Sequence, residues 1–142
     1  MTMRKTTFLA VLLATALALP AMAADAFKVV ANSSVSVRAV SRRALSDLFM
    51  KKSTTWEGGA AAAPVDNASA ALREDFSRSV HGKAAAAVKS YWNQQIFSGR
   101  SLPPLEKPSD ADVLAYVKVT PGAVGYVSNA AETNGVKVIA LE

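Results

Sequence analysis

Cysteine is absent from the 142 residues, and histidine occurs once, as His81. The first absence excludes disulfides, thiolate nucleophiles and cysteine-ligated metals. The lone histidine stands just before Gly82, a place that suits the end of a helix better than catalysis or metal binding. No internal repeat is visible, and no second apolar run of membrane-spanning length follows the N-terminal one. The acids Asp47, Asp66, Glu74, Asp75, Asp110 and Asp112 lack the spacing of a cation loop. No base stands near a serine along the chain. Together these gaps argue against an enzyme, a metal site or a cofactor.

The N-terminus carries a positive signature. Arg4 and Lys5 precede an apolar run, Phe8 to Leu19, and Ala21-Met22-Ala23 offers small residues at cleavage spacing. Residues 1–23 therefore read as a secretory signal peptide, too short in its apolar part to span a bilayer. Residues 24–142 are then a single domain of 119 residues, exported to the periplasm with no span of its own. Losing Arg4 and Lys5 leaves 14 basic residues against 11 acidic, so the charge falls from +5 to +3. The pI of about 9.7 comes without any basic block, which argues against nucleic acid as a partner.

Periodicity predicts a mixture of strands and helices. Phe27 to Ala31 reads as a strand ending in Asn32-Ser33-Ser34. Ser41 suits the cap of a helix whose Leu45, Leu48 and Phe49 share a face. Ala60 to Val65 leads as a strand into a helix from Ser69, with Leu72, Phe76 and Val80 inward, closed by His81-Gly82. The next helix should present Val88, Tyr91, Trp92, Gln95 and Ile96 on one face. Pro103-Pro104 and Pro108 suggest an extended linker, and Ser109 with Asp110 and Asp112 a capped helix holding Val113, Leu114 and Val117 inward. Val124 to Val127 and Val136 to Leu141 complete an α/β arrangement of a small sheet covered by helices.

Two segments carry a resemblance. Leu45-Ser46-Asp47-Leu48-Phe49 with Lys52, Thr55 and Trp56 is similar to the L-x-x-I-F-x-G-K-x-x-x-W segment of phosphate-binding receptors of ABC transporters. Pro121-Gly122-Ala123-Val124-Gly125-Tyr126-Val127, starting 65 positions after Trp56, resembles their P-G-A-[IV]-G-Y-V segment. The resemblance implies a type II periplasmic-binding-protein-like fold, here a single lobe with a small mixed sheet flanked by helices. Those receptors clamp their ligand between two lobes, and 119 residues supply one.

The family's phosphate loop, strand-R-x-D-G-S-G-T-helix, aligns without a gap on the chain up to Phe76. Asp66 then takes the arginine's place, Ala68 the aspartate's and Ser69 the first glycine's. Ala70 falls on the serine, Ala71 on the second glycine and Leu72 on the threonine. The cation and both hydroxyls of the motif are lost, and Ser69 reads as an N-cap. A bare helix end offers an anion only about 0.3–1 kcal/mol, whereas millimolar binding needs about 4 kcal/mol. Asp66 needs a cation, and Arg73 or Arg100 is expected to supply it. The candidate ligand residues are Asn32, Ser33 and Ser34, with Ser36 beside them, after the first strand, and Asp66, Asn67, Ser69, Ala70 and Ala71 at the helix start. Two functions follow from the resemblance. One is a module binding a small oxyanion such as phosphate, or another solute, weakly or as a homo-oligomer, with an ABC transporter as partner. The other is a repurposed lobe that binds a periplasmic protein.

Overall fold

A computed structural model describes residues 25–142; the expected signal peptide lies outside them. Six strands form one sheet in the order β2-β6-β1-β5-β3-β4. They are β1 (Phe27–Ala31), β2 (Ala39–Val40), β3 (Ala63–Asn67), β4 (Leu105–Lys107), β5 (Ala123–Ser128) and β6 (Lys137–Leu141). Four helices accompany them: α1 (Arg42–Phe49), α2 (Ala70–Phe76), α3 (Ala85–Phe97) and α4 (Asp110–Val119). A π-helical turn, Ser77–His81, extends α2 and ends at Gly82 in the left-handed conformation (φ 66°).

Strand direction decides where a site can lie. β1 is antiparallel to both of its neighbours, β5 and β6. β3 runs parallel to β5 and to β4, and β2 parallel to β6. Five strands therefore share a direction and only β1 opposes it. The carboxyl ends of β3 and β5 meet on one edge of the sheet, and the end of β1 lies on the other.

The expected α/β alternation is present, with two strands added. β2 is too short to show a period, and β4 lies in the segment read as a proline linker. Pro103, Pro104 and Pro108 flank β4, which pairs only with β3, so the prolines remove no ladder hydrogen bond from a central strand.

β5 is buried along both faces because helices cover both sides of the sheet. Val124 and Tyr126 join Phe49, Phe76 and Trp56 in one core, whereas Ala123 and Val127 join Val65, Val113 and Val117 beneath α4. Ser41 caps α1, its Oγ accepting from Ala44 N–H at 3.1 Å, and Leu45, Leu48 and Phe49 are buried as their spacing predicts. Each such side chain contributes about 1.5–3 kcal/mol. Ser109 caps α4 through Asp112 N–H in the same manner.

α3 departs from expectation. Of the face Val88, Tyr91, Trp92, Gln95 and Ile96, only Trp92 is buried. Ile96 is 46% exposed and the neighbouring Phe97 91%. The helix packs mainly on the π-helical turn and stands off the sheet, so its stripe has little to pack against.

The two segments that carry the sequence resemblance touch. Trp56 Nε1 donates to Gly122 O at 2.9 Å. Ala63 N–H donates to the same oxygen at 3.1 Å, and Gly122 N–H donates to Ser34 Oγ at 3.1 Å.

Candidate functional site

β3 and β5 end side by side, and α2 and α4 begin there. Asn67, fully buried, donates Nδ2 to Asp110 Oδ1 at 2.8 Å and to Tyr126 O at 3.3 Å. Its Oδ1 accepts from Ser69 N–H at 3.0 Å, a local turn that leads the chain into α2. Ser69 occupies the N-cap position, but its hydroxyl makes no capping bond. Asp110 Oδ2 accepts from Ser128 N–H at 3.3 Å and Ser128 Oγ at 2.5 Å. The donors at this edge thus converge on a carboxylate of the chain itself, set in the first turn of α4 where the helix dipole favours negative charge. A shallow depression here is lined by Asn67, Ser69, Ala71, Asp75, Asp110 and Ser128, among others, with two carboxylates and no lysine or arginine. An added anion would meet repulsion, and the Asn67 amide and Ser128 hydroxyl donors are already engaged. Ala70 and Ala71, in the first turn of α2, offer no side-chain donor.

Asn32, Ser33 and Ser34 follow β1, so its reversed direction carries them to the opposite edge. Along a five-residue strand that separation is about 15 Å. Asn32 is buried and fully engaged: Nδ2 donates to Val117 O at 2.8 Å and Lys118 O at 3.1 Å, and Oδ1 accepts from Ser34 N–H at 2.9 Å. These bonds satisfy carbonyls at the C-terminal end of α4. Ser34 holds Gly122 as described, while Ser33 and Ser36 face solvent. The structure therefore does not bring the two groups of candidate residues together.

Asp66 alternates with Asn67 and lies on the sheet face of the larger core. Its side chain is 15% exposed. Tyr126 Oη donates to Oδ1 at 2.8 Å, and Arg73 Nη2 lies 3.5 Å from Oδ2 and 2.9 Å from Glu106 Oε2. Arg73, one of the two expected partners, supplies the cation. Burial raises the Asp66 carboxyl above its ordinary value, with Arg73 and the Tyr126 hydroxyl opposing. Burial, then the Asp66 charge, raises the Tyr126 phenol, so the proton stays on the tyrosine. The Tyr126 ring stacks on Phe76 at 3.8 Å between centroids and 6° between planes.

A second pair was not legible in the sequence. Ser46 Oγ and His81 Nδ1 are 2.7 Å apart, joining α1 to the π-helical turn across 35 positions. The expectation that no base lies near a serine is corrected at this point. Among the described residues no carboxylate bonds the imidazole to orient it, as a general base for serine would need. The pair fastens two helices. Burial, with Lys83 and Lys52 nearby, lowers the His81 pKa to about 4, against 6.5 in the unfolded chain. The unfolded state then binds the extra proton between these values, so stability is complete above pH 6.5 and declines as pH falls toward 4. The expected loss is about 2–3 kcal/mol by pH 4, allowing for partial exposure. Urea midpoints measured across this window should show the slope, and His81→Gln should flatten it.

No family model matches the chain, and no curated protein matches it in sequence. Solved structures do match. One is a protein from Clostridium perfringens assigned as a phosphate ABC transporter substrate-binding protein, with phosphate bound. It has a TM-score of 0.62 and 16% identity, over 82% of this chain and 45% of the other. An ABC-type phosphate transport receptor from Vibrio cholerae matches with a TM-score of 0.60 and 19% identity, over 82% and 46%. PstS from Borrelia burgdorferi matches with a TM-score of 0.57 and 12% identity, over 83% and 47%. The chain is a structural relative of these receptors, with the fold of part of them, and it spans less than half of their length.

Proposed function

We propose that this protein is an exported solute-binding module built on one lobe of a phosphate-receptor-like fold, with residues 1–23 as its signal peptide. The observation that carries this reading is the match over about four fifths of the chain to receptors, one of which holds phosphate. Among the described residues no helix is long and apolar enough to cross a membrane, which accords with a domain released after export.

A small oxyanion would bind only weakly at the α2 edge of a lone copy. Asp66 and Asp110 hold places that favour neighbours over ligand, and each new hydrogen bond in an open depression nets about 0.5–1.5 kcal/mol. Titration of the labelled protein with phosphate and sulfate at constant ionic strength should move the amide signals of Asn67 to Ala71 with a dissociation constant above about 1 mM, and silence at about 50 mM would count against solute binding. Submicromolar binding by a verified monomer would overturn the weak-site reading.

The alternative, a repurposed lobe that binds a periplasmic protein, is favoured by a different observation. Phe97, Leu102 and Leu105 are respectively 91%, 66% and 50% exposed near the end of α3 and the start of β4.

A further inference from the structure

Between α3, the π-helical turn and the β3–β4 side of the sheet lies a cavity of about 440 Å³, within the size range of small-molecule sites. Its walls include Phe49, Phe76, Val88, Trp92, Ile96 and Pro103. Asp66, Arg73 and Glu106 form one polar cluster in its wall. Two carboxylates share one guanidinium there, and Arg73 sits closer to Glu106 (2.9 Å) than to Asp66 (3.5 Å).

Asp66 retains acceptor capacity. A carboxylate has about four lone-pair positions, and Tyr126 donates to Oδ1 at good hydrogen-bond distance while Oδ2 has only the 3.5 Å contact. Asp66 Oδ2 and the Glu106 carboxylate offer acceptors beside aromatic walls, a combination that suits an ammonium on a hydrocarbon body. Lys89 also lines the cavity and is exposed, as Glu106 is, so solvent screens both and Asp66 is the acceptor that decides. His81 lines it as a neutral imidazole at pH 7.

We propose that this cavity binds a small organic amine with an apolar body, its ammonium beside Asp66 and Glu106 and its hydrocarbon against Phe76 and Trp92. This goes beyond the anion-binding reading: the ligand has the opposite charge and the site lies on a face of the sheet instead of its edge.

Benzylamine, benzyl alcohol and benzoate share a ring and differ in charge, so they serve as probes of the purified protein. Benzylamine should shift the Trp92 indole and Asp66 signals and bind about tenfold more tightly than benzyl alcohol, with benzoate weakest. Asp66→Asn should abolish the preference for the amine. Glu106→Gln, at a half-exposed side chain, should reduce it about threefold and keeps the test open if Asp66→Asn fails to fold. Equal affinity for the three probes, shifts confined to residues away from Trp92, or an unchanged preference in Glu106→Gln would overturn the proposal. Phosphate titration reads Asn67 to Ala71, so failure of either reading leaves the other to be judged separately.

Discussion

Gly122→Ala should destabilise the protein by about 2–5 kcal/mol, the largest effect expected among the described glycines. Gly122 has φ 76°, and a Cβ there would overlap the Ala61 carbonyl oxygen. Left-handed backbone costs an L-residue about 1–2 kcal/mol, and forcing backbone apart in a packed region costs about 1–3 kcal/mol more. The position has no room to yield, because its own backbone receives Trp56 Nε1 and Ala63 N–H and donates to Ser34. Shifting it loosens three segments at once. Against a typical total of about 5–15 kcal/mol, the variant should unfold at much lower urea. Chemical denaturation with Trp56 and Trp92 fluorescence would measure this. A cost below 1 kcal/mol would mean that the turn relaxes freely and that the Trp56 bond does not constrain it.

Phe76→Ala should cost about 3–5 kcal/mol, through lost burial and the cavity left behind. Phe76 is 1% exposed and contacts four rings: it stacks on Tyr126, tilts against Phe49, and meets Phe27 and His81 edge-on. Aromatic pairs contribute beyond their area, so Phe76→Leu, which keeps most of the volume, should recover only part of the loss. The substitution also removes the floor against which Tyr126 holds its hydroxyl toward Asp66, enlarging the cavity beneath α3. Thermal melts of the two variants would rank them. Equal stability of Phe76→Leu and the parent would show that volume alone matters at this position.

Much of the architecture was legible because local chemistry announces it. Ser41 and Ser109 cap where short polar side chains precede apolar periodicity, and Gly82 stops a helix where the left-handed angle favours glycine. The proline-flanked β4 was not legible, because three residues beside prolines carry no period and take strand form only by pairing with β3. The exposure of α3 was hidden for a related reason. An apolar stripe reports what a helix could bury, whereas what it does bury depends on whether another surface comes near.

The candidate site separates along the same line. That Asp66, Ala70 and Leu72 offer neither a cation nor a hydroxyl could be read directly, and so could the need of Asp66 for a cation. Tertiary structure alone chose Arg73 over Arg100, added Tyr126 and Glu106, and enclosed Asp66 beneath α3. It also set Asn32–Ser34 and Asn67–Ala71 on opposite edges, since the direction in which β1 enters the sheet is a property of pairing and not of its five residues. The sequence by itself determined the local elements, the caps and the side chains set at the start of α2, all of which depend on neighbours within a few positions. Which carboxylate meets which donor, and where a cavity opens, depended on contacts such as Ser128–Asp110 and Tyr126–Asp66, 18 and 60 positions apart, and only the folded chain decides those.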